Sequence, residues 1–152
     1  MQKVVTILGE ADLASYTLDL IQHIESETSG KEAVIVTLSG DLGAGKTALV
    51  KALGGALGVK EVIVSPTFVV LKTYETLHPH FTHLVHMDAY RIESTSELAP
   101  LHFLEYTHEP NTLVCIEWPE CIPDALTMPH HHIAITIMDE TKRTLTYTHV
   151  KN

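Results

Sequence analysis

The segment Gly40-Asp41-Leu42-Gly43-Ala44-Gly45-Lys46-Thr47 satisfies the pattern G-x-x-x-x-G-K-[ST] at every specified position. It constrains the fold strongly, because such a loop works between a buried strand and the start of a helix. Both flanks are present. Ala33-Val34-Ile35-Val36-Thr37-Leu38 reads as a buried strand, and Ala48-Leu49-Val50-Lys51-Ala52-Leu53 as the first turns of a helix. The spacing has a chemical reason. Glycines let successive backbone N–H groups wrap around phosphate oxygens, and the helix start adds its positive end. Lys46 would reach the terminal phosphates and the Thr47 hydroxyl would hold Mg²⁺. Nucleotide contacts are expected from Asp41, Leu42, Gly43, Ala44, Gly45, Lys46, Thr47 and Ala48.

A chain of 152 residues suits one domain, spanning residues 1–152, with enough length to bury a real core. No repeat, low-complexity block or linker-like stretch interrupts it. Residues 3–8 alternate weakly, as a first strand would. Leu13, Thr17, Leu20, Ile21 and Ile24 fall at helical spacing and predict an amphipathic helix from about Asp12 to Glu27, ended by Ser29-Gly30-Lys31. Gly54-Gly55 and Gly58 are expected to loosen and stop the helix after the phosphate loop. Residues 68–76 and 81–87 read as paired strands around Leu77-His78-Pro79-His80. Residues 96–106 form a helical stretch broken by Pro100, residues 112–117 a buried strand, and residues 133–138 and 144–150 a closing hairpin. Strands interleaved with helices around a phosphate loop predict an α/β, P-loop NTPase-like fold. Its central sheet would be partly parallel and flanked by helices, with antiparallel hairpins.

A phosphate loop also needs carboxylates at strand ends to organise Mg²⁺ and an attacking water. Two apolar runs end in an acid: residues 81–87 lead to Asp88, and residues 113–116 lead to Glu117. The second is the better match to the acidic element of such proteins, with Glu where Asp is commoner. Either acid could instead cap a loop or pair with Arg91 or a lysine. Absences narrow the chemistry further. There is no N-K-x-D guanine-reading motif, which favours ATP over GTP. Small-molecule kinases of this fold need several arginines to clamp a second substrate, and this chain has only Arg91 and Arg143. A water-activated ATPase or a nucleotide-gated switch fits better.

The net charge of −9 argues against autonomous nucleic-acid binding, so any RNA would be presented by a partner protein. No apolar run could span a membrane, and the first ten residues lack the apolar stretch and cleavage site of a signal peptide, so a cytoplasmic location is expected. Cys115, inside Leu113-Val114-Cys115-Ile116, reads as a small reduced core residue. His78, His80, His83 and His86 cluster around a hairpin, and His130-His131-His132 fall in a turn after Pro129. No Cys or carboxylate spacing completes a zinc site around them, and none is expected. Trp118, the sole tryptophan, is either a packing residue or a rim contact for nucleotide or partner.

Taken together, the phosphate loop, Ser65-Pro66-Thr67-Phe68, His86-Met87-Asp88-Ala89-Tyr90-Arg91 and Ile116-Glu117-Trp118-Pro119-Glu120 resemble the TsaE (YjeE) family in order and spacing. The resemblance covers nearly the whole chain. It implies a cytoplasmic, Mg²⁺-dependent ATPase that works with the TsaD and TsaB proteins. That pair carries out or scaffolds threonylcarbamoyl transfer to adenosine 37 of tRNAs reading ANN codons. Hydrolysis would be slow until the partners complete the site, and tRNA would be met only through the complex. Carried over by motif, Lys46 and Thr47 keep their loop roles. Glu117 would sit by Mg²⁺ directly or through water, and Asp88 would orient metal-bound water or the nucleophile. Ser65, Pro66 and Thr67 resemble a switch-like segment, and with Trp118 they are candidate partner contacts. Arg143, in the last hairpin, would approach the nucleotide base. Two positions depart from the family pattern: Ala89 stands where Leu is usual, and His102 where Gly is usual.

Overall fold

The protein is described by a computed structural model covering Met1 and residues 3–151; of the expected domain, Gln2 and Asn152 lie outside the described residues. In chain order the elements are β1 (Val4–Ile7), α1 (Glu10–Glu27), β2 (Val34–Ser39), α2 (Lys46–Leu57), β3 (Leu71–Glu75) and β4 (His83–Asp88). A 3₁₀ helix (Thr95–Leu101), α3 (Phe103–Thr107), β5 (Thr112–Glu117), two short 3₁₀ turns, β6 (His130–Ile137) and β7 (Arg143–Val150) follow. The strands form one seven-stranded sheet in the order β1-β7-β6-β2-β5-β4-β3. Its centre, β6-β2-β5-β4, is parallel, while β3, β7 and β1 are added antiparallel.

Period-two alternation in the central strands decides what covers each face. Val34, Val36 and Leu38 of β2, Leu113 and Cys115 of β5 and Leu84 of β4 pack against α1 (Leu20, Ile21, Ile24) and α2 (Leu49, Val50, Leu53). Ile35, Val114, Ile116, Val85 and Met87 point the other way, onto Ile92, Leu98, Phe103 and Ile122 from the 3₁₀ and α3 layer. Each buried Val, Leu or Ile side chain contributes roughly 1.5–3 kcal/mol relative to exposure. A parallel strand covered on both faces has no solvated side, which is why β2 and β5 read as mostly apolar runs. No helix among the described residues is long and apolar enough to cross a membrane.

Several local expectations are corrected. The helix after the phosphate loop is stopped by left-handed Gly58 as expected, ending at Leu57, but it runs on through Gly54-Gly55. Gly54 lets Ile63 close on the helix: a Cβ there would lie 2.1 Å from the Ile63 Cδ1. The first paired strand is only Leu71–Glu75, because the segment containing Phe68 and Val69 stays in an exposed loop. The helical break falls at His102 (φ +58°), with Pro100 tolerated inside the 3₁₀ helix. His130-His131-His132 lie within β6, not in a turn. There His132 hydrogen-bonds through Nδ1 to the Thr37 hydroxyl (2.7 Å) and through Nε2 to the Ser39 hydroxyl (3.0 Å). Burial, followed by neighbouring His149, drives His131 down to about 4. Cys115 is free and fully enclosed, and burial pushes its thiol well above the ordinary range.

Candidate nucleotide site

The loop between β2 and α2 emerges at the carboxyl end of the parallel strands, where open α/β sheets place ligands. Gly40 (φ +154°) passes so close to β6 that a Cβ would sit 2.7 Å from the Ile135 carbonyl oxygen. Gly45 is left-handed (φ +114°) and turns the chain into α2. Lys46, Thr47 and Ala48 therefore form the first turn of α2, whose N–H groups have no intrahelical acceptor.

Strand register brings the acids to the loop. β5 lies between β2 and β4, with Leu38 opposite Glu117 and Asp88 opposite Glu117. On β5, Glu117 shares the face of Leu113 and Cys115, which is the face covered by α2. The Thr47 hydroxyl accordingly lies 3.0 Å from both Glu117 carboxylate oxygens, as donor. Asp88 accepts from the Tyr90 backbone N–H at 3.0 Å and lies 3.4 Å from the Thr67 hydroxyl. Thr67 in turn touches the Ser65 hydroxyl at 2.8 Å. The loop around Pro66 closes through the Val70 N–H, which donates to the Pro66 carbonyl at 2.7 Å, and the Val70 carbonyl accepts from the Asp88 N–H at 2.8 Å. Val70 itself is left-handed (φ +70°), a strained conformation for a β-branched residue.

Lys46 is 5% exposed. Its ammonium donates to the Gly40 and Asp41 carbonyls and sits 4.1 Å from the centre of the Trp118 ring. Burial lowers its basicity, opposed by the carboxylates of Glu117, Glu120, Asp88 and Asp41. Trp118 adopts φ +59°, and its ring meets Tyr90 at 4.9 Å. These groups line a cavity of about 350 Å³ that includes Leu42, Gly43, Gly45, Lys46, Thr47, Ala48, Ser65, Thr67, Asp88, Arg91, Glu117 and Trp118. On the other side of the loop, a second cavity of about 250 Å³ is lined by Gly43, Ala44, Ala48, Leu49, Ile135, Glu140, Thr141 and Arg143, among others. Arg143 donates from Nε to the Ala44 carbonyl (3.2 Å) and from Nη1 to the Asp139 carbonyl (2.8 Å). A larger cavity of about 520 Å³ beside β1 and α1 gathers neither the lysine nor the acids of the loop.

One residue of this site escaped the sequence reading. His86, on β4 two positions before Asp88 and on the same face, is fully buried and donates from Nε2 to Glu117 at 2.6 Å. Its Nδ1 has no partner among the described residues. The usable signal was parity: Leu84, His86 and Asp88 must share a face, so the histidine points at the same carboxylate cluster.

Sequence comparison agrees with this geometry. A family profile described as "Threonylcarbamoyl adenosine biosynthesis protein TsaE" matches residues 11–145. The tRNA threonylcarbamoyladenosine biosynthesis protein TsaE of Bacillus subtilis is 36% identical over 122 residues, covering 80% of this chain and 73% of its own length. Its Rickettsia felis namesake is 41% identical over 110 residues, covering 72% of this chain and 61% of its own length. A crystal structure of YdiB from Bacillus subtilis superposes with a TM-score of 0.69 at 26% identity, covering 98% of this chain and 86% of that one. With the profile spanning most of the chain and the phosphate loop seated against a strand-end glutamate, this protein belongs to the TsaE family.

Proposed function

We propose that this chain is a Mg²⁺-dependent cytoplasmic ATPase acting in threonylcarbamoyladenosine modification of tRNAs reading ANN codons, together with TsaD and TsaB proteins. The observation that carries the reading is the Thr47 hydroxyl on the Glu117 carboxylate at 3.0 Å, at the mouth of a complete phosphate loop. The relatives are named for tRNA threonylcarbamoyladenosine biosynthesis, and this reading carries that role to the present chain. Hard oxygen donors from Thr47, Glu117 and Asp88 converge on one cavity, a donor set that suits Mg²⁺. When bound with the nucleotide, Mg²⁺ neutralises charge on the phosphate oxygens.

The chain's own residues have definable tasks. The free N–H groups at the start of α2 bind phosphate oxygens. Lys46 must leave the Gly40 and Asp41 carbonyls to reach the terminal phosphates, and its place beneath Trp118 keeps it desolvated until then. Glu117, steadied by His86, holds the Thr47 side of the site. Asp88 accepts a hydrogen bond from the attacking water and orients it. Arg143 and the neighbouring cavity offer a place for the adenine, and Ser65–Thr67 together with Trp118 present the surface to the partners. With a net charge of −9, the chain reaches tRNA only through those partners.

The test is Mg²⁺-dependent ATP hydrolysis by the purified chain, alone and with matched TsaD and TsaB proteins, with Glu117→Ala as the control. Stimulation by the pair that disappears in the variant supports the proposal. ATP binding without stimulation would replace it with a nucleotide-sensing adaptor whose hydrolysis is dispensable.

A further inference from the structure

At the far end of the sheet from the phosphate loop, three elements bring nitrogen and oxygen donors together. His23 and Glu27 are four residues apart on α1 and so share one helix face. His131 of β6 stands directly opposite His149 of β7 in the antiparallel register, on the face that α1 covers. One potential ligand atom from each of His23, Glu27 and His131 lies within 4.8 Å of the other two. His149 Nδ1 lies 3.0 Å from the Glu27 carboxylate, and its ring stacks on His131 at 4.4 Å. The Tyr147 hydroxyl completes the cluster, 3.0 Å from His23 Nε2 and 2.7 Å from His131 Nδ1.

We infer that His23, Glu27 and His131 form a binding site for a borderline divalent transition ion such as Zn²⁺. This goes beyond the nucleotide reading and is independent of it. Two imidazoles and a carboxylate leaving one position open is a donor set that zinc accepts at about 2.0–2.2 Å. Tetrahedral ligands at that range stand about 3.3 Å apart, so the present spacing needs only modest side-chain closure. His131 is buried and fixed by the strand, whereas His23 and Glu27 retain solvent access and line the way in. Mg²⁺ is a poor candidate here, since it prefers oxygen donors and keeps its waters. His131 also lies about 13 Å along β6 from Ile135, where Gly40 touches the strand. The ion would therefore pin α1 to the β6-β7 hairpin rather than serve the nucleotide.

The decisive experiment is titration of the metal-free full chain with Co²⁺, followed by visible d–d absorption, in excess Mg²⁺ and without nucleotide. One Co²⁺ per chain, displaced by Zn²⁺ and accompanied by a higher melting temperature, is expected. His23→Gln and Glu27→Gln change side chains that reach solvent, and each should weaken binding roughly tenfold or more. A His80→Gln/His83→Gln control should bind as the parent does. Absence of stoichiometric binding would overturn the inference. So would binding that survives both α1 substitutions or is lost in the hairpin control.

Discussion

Replacing His86 by Leu isolates the least visible part of the nucleotide site. In the parent, His86 Nε2 donates to Glu117 at 2.6 Å with both side chains almost wholly enclosed, at 0% and 4% exposure. Leucine fills a similar volume but offers no donor, so one carboxylate oxygen is left with the Thr47 hydroxyl alone. A net hydrogen bond to a charged group contributes about 1.5–3 kcal/mol, and a buried acceptor stripped of its donor retains its desolvation cost. We expect a loss of about 2 kcal/mol. A chain of this size loses about 2–4 °C per kcal/mol, so the melting temperature should fall by about 4–8 °C. The assay is thermal unfolding of the parent, His86→Leu, Glu117→Gln and the double variant. The structure demands a coupling energy of at least about 1 kcal/mol between contacting partners. Additivity within about 0.5 kcal/mol would refute the reasoning, as would a melting temperature unmoved by His86→Leu. Weaker Mg-ATP binding should accompany the loss, because Glu117 would no longer be held toward Thr47.

Four other outcomes follow from particular contacts. Lys46→Ala should weaken Mg-ATP binding roughly tenfold or more by calorimetry, as expected for a charge-assisted donor; unchanged affinity would remove Lys46 from the site. Gly40→Ala should destabilise the fold by about 2 kcal/mol in denaturant unfolding, since its Cβ meets the Ile135 carbonyl and the backbone there cannot step aside. His102→Gly should raise stability by about 1 kcal/mol in the same assay, because a left-handed backbone costs a side chain and spares glycine. Glu97 accepts from the Glu93 and Ser94 N–H groups, and those bonds hold its carboxyl below the usual 4.5. Its stabilising effect is thus present above pH 4.5 and lost as pH falls through the lower folded value. Thermal melts of Glu97→Ala should therefore lie below the parent at neutral pH and converge with it in acid.

The sheet was legible in the sequence wherever burial is two-sided. Residues 34–38 and 113–116 announce themselves because a parallel strand covered on both faces is almost wholly apolar, Thr37 entering β2 only with a hydrogen-bond partner. The acids were legible too, since Asp88 and Glu117 terminate such runs. What escaped was decided across the chain. Residues 68–70 have strand-like composition, yet the Val70 N–H donating to Pro66 and the Val70 carbonyl accepting from Asp88 claim the backbone for a loop. His130-His131-His132 look like a polar turn, but Thr37, Ser39 and Tyr147 supply partners that let them enter β6. His86 was visible as one of several histidines, and parity put it on the face of Asp88, but its partner Glu117 stands thirty-one residues later on another strand. The unusual His102 is explained by its φ of +58°, the conformation for which glycine is the natural choice.

The backbone at Val70 has a mechanical consequence. A left-handed valine holds about 1–2 kcal/mol that an extended one would release, and two short backbone bonds keep it cocked. Losing either bond would therefore let the loop bearing Ser65 and Thr67 relax toward an extended backbone at Val70. The Asp88 N–H donates to the Val70 carbonyl, so the same left-handed residue also fixes the backbone that carries the acid. Phe68, two residues away, leaves its ring exposed on this same loop, so the strained residue, the exposed ring and the backbone of the acid belong to one short segment.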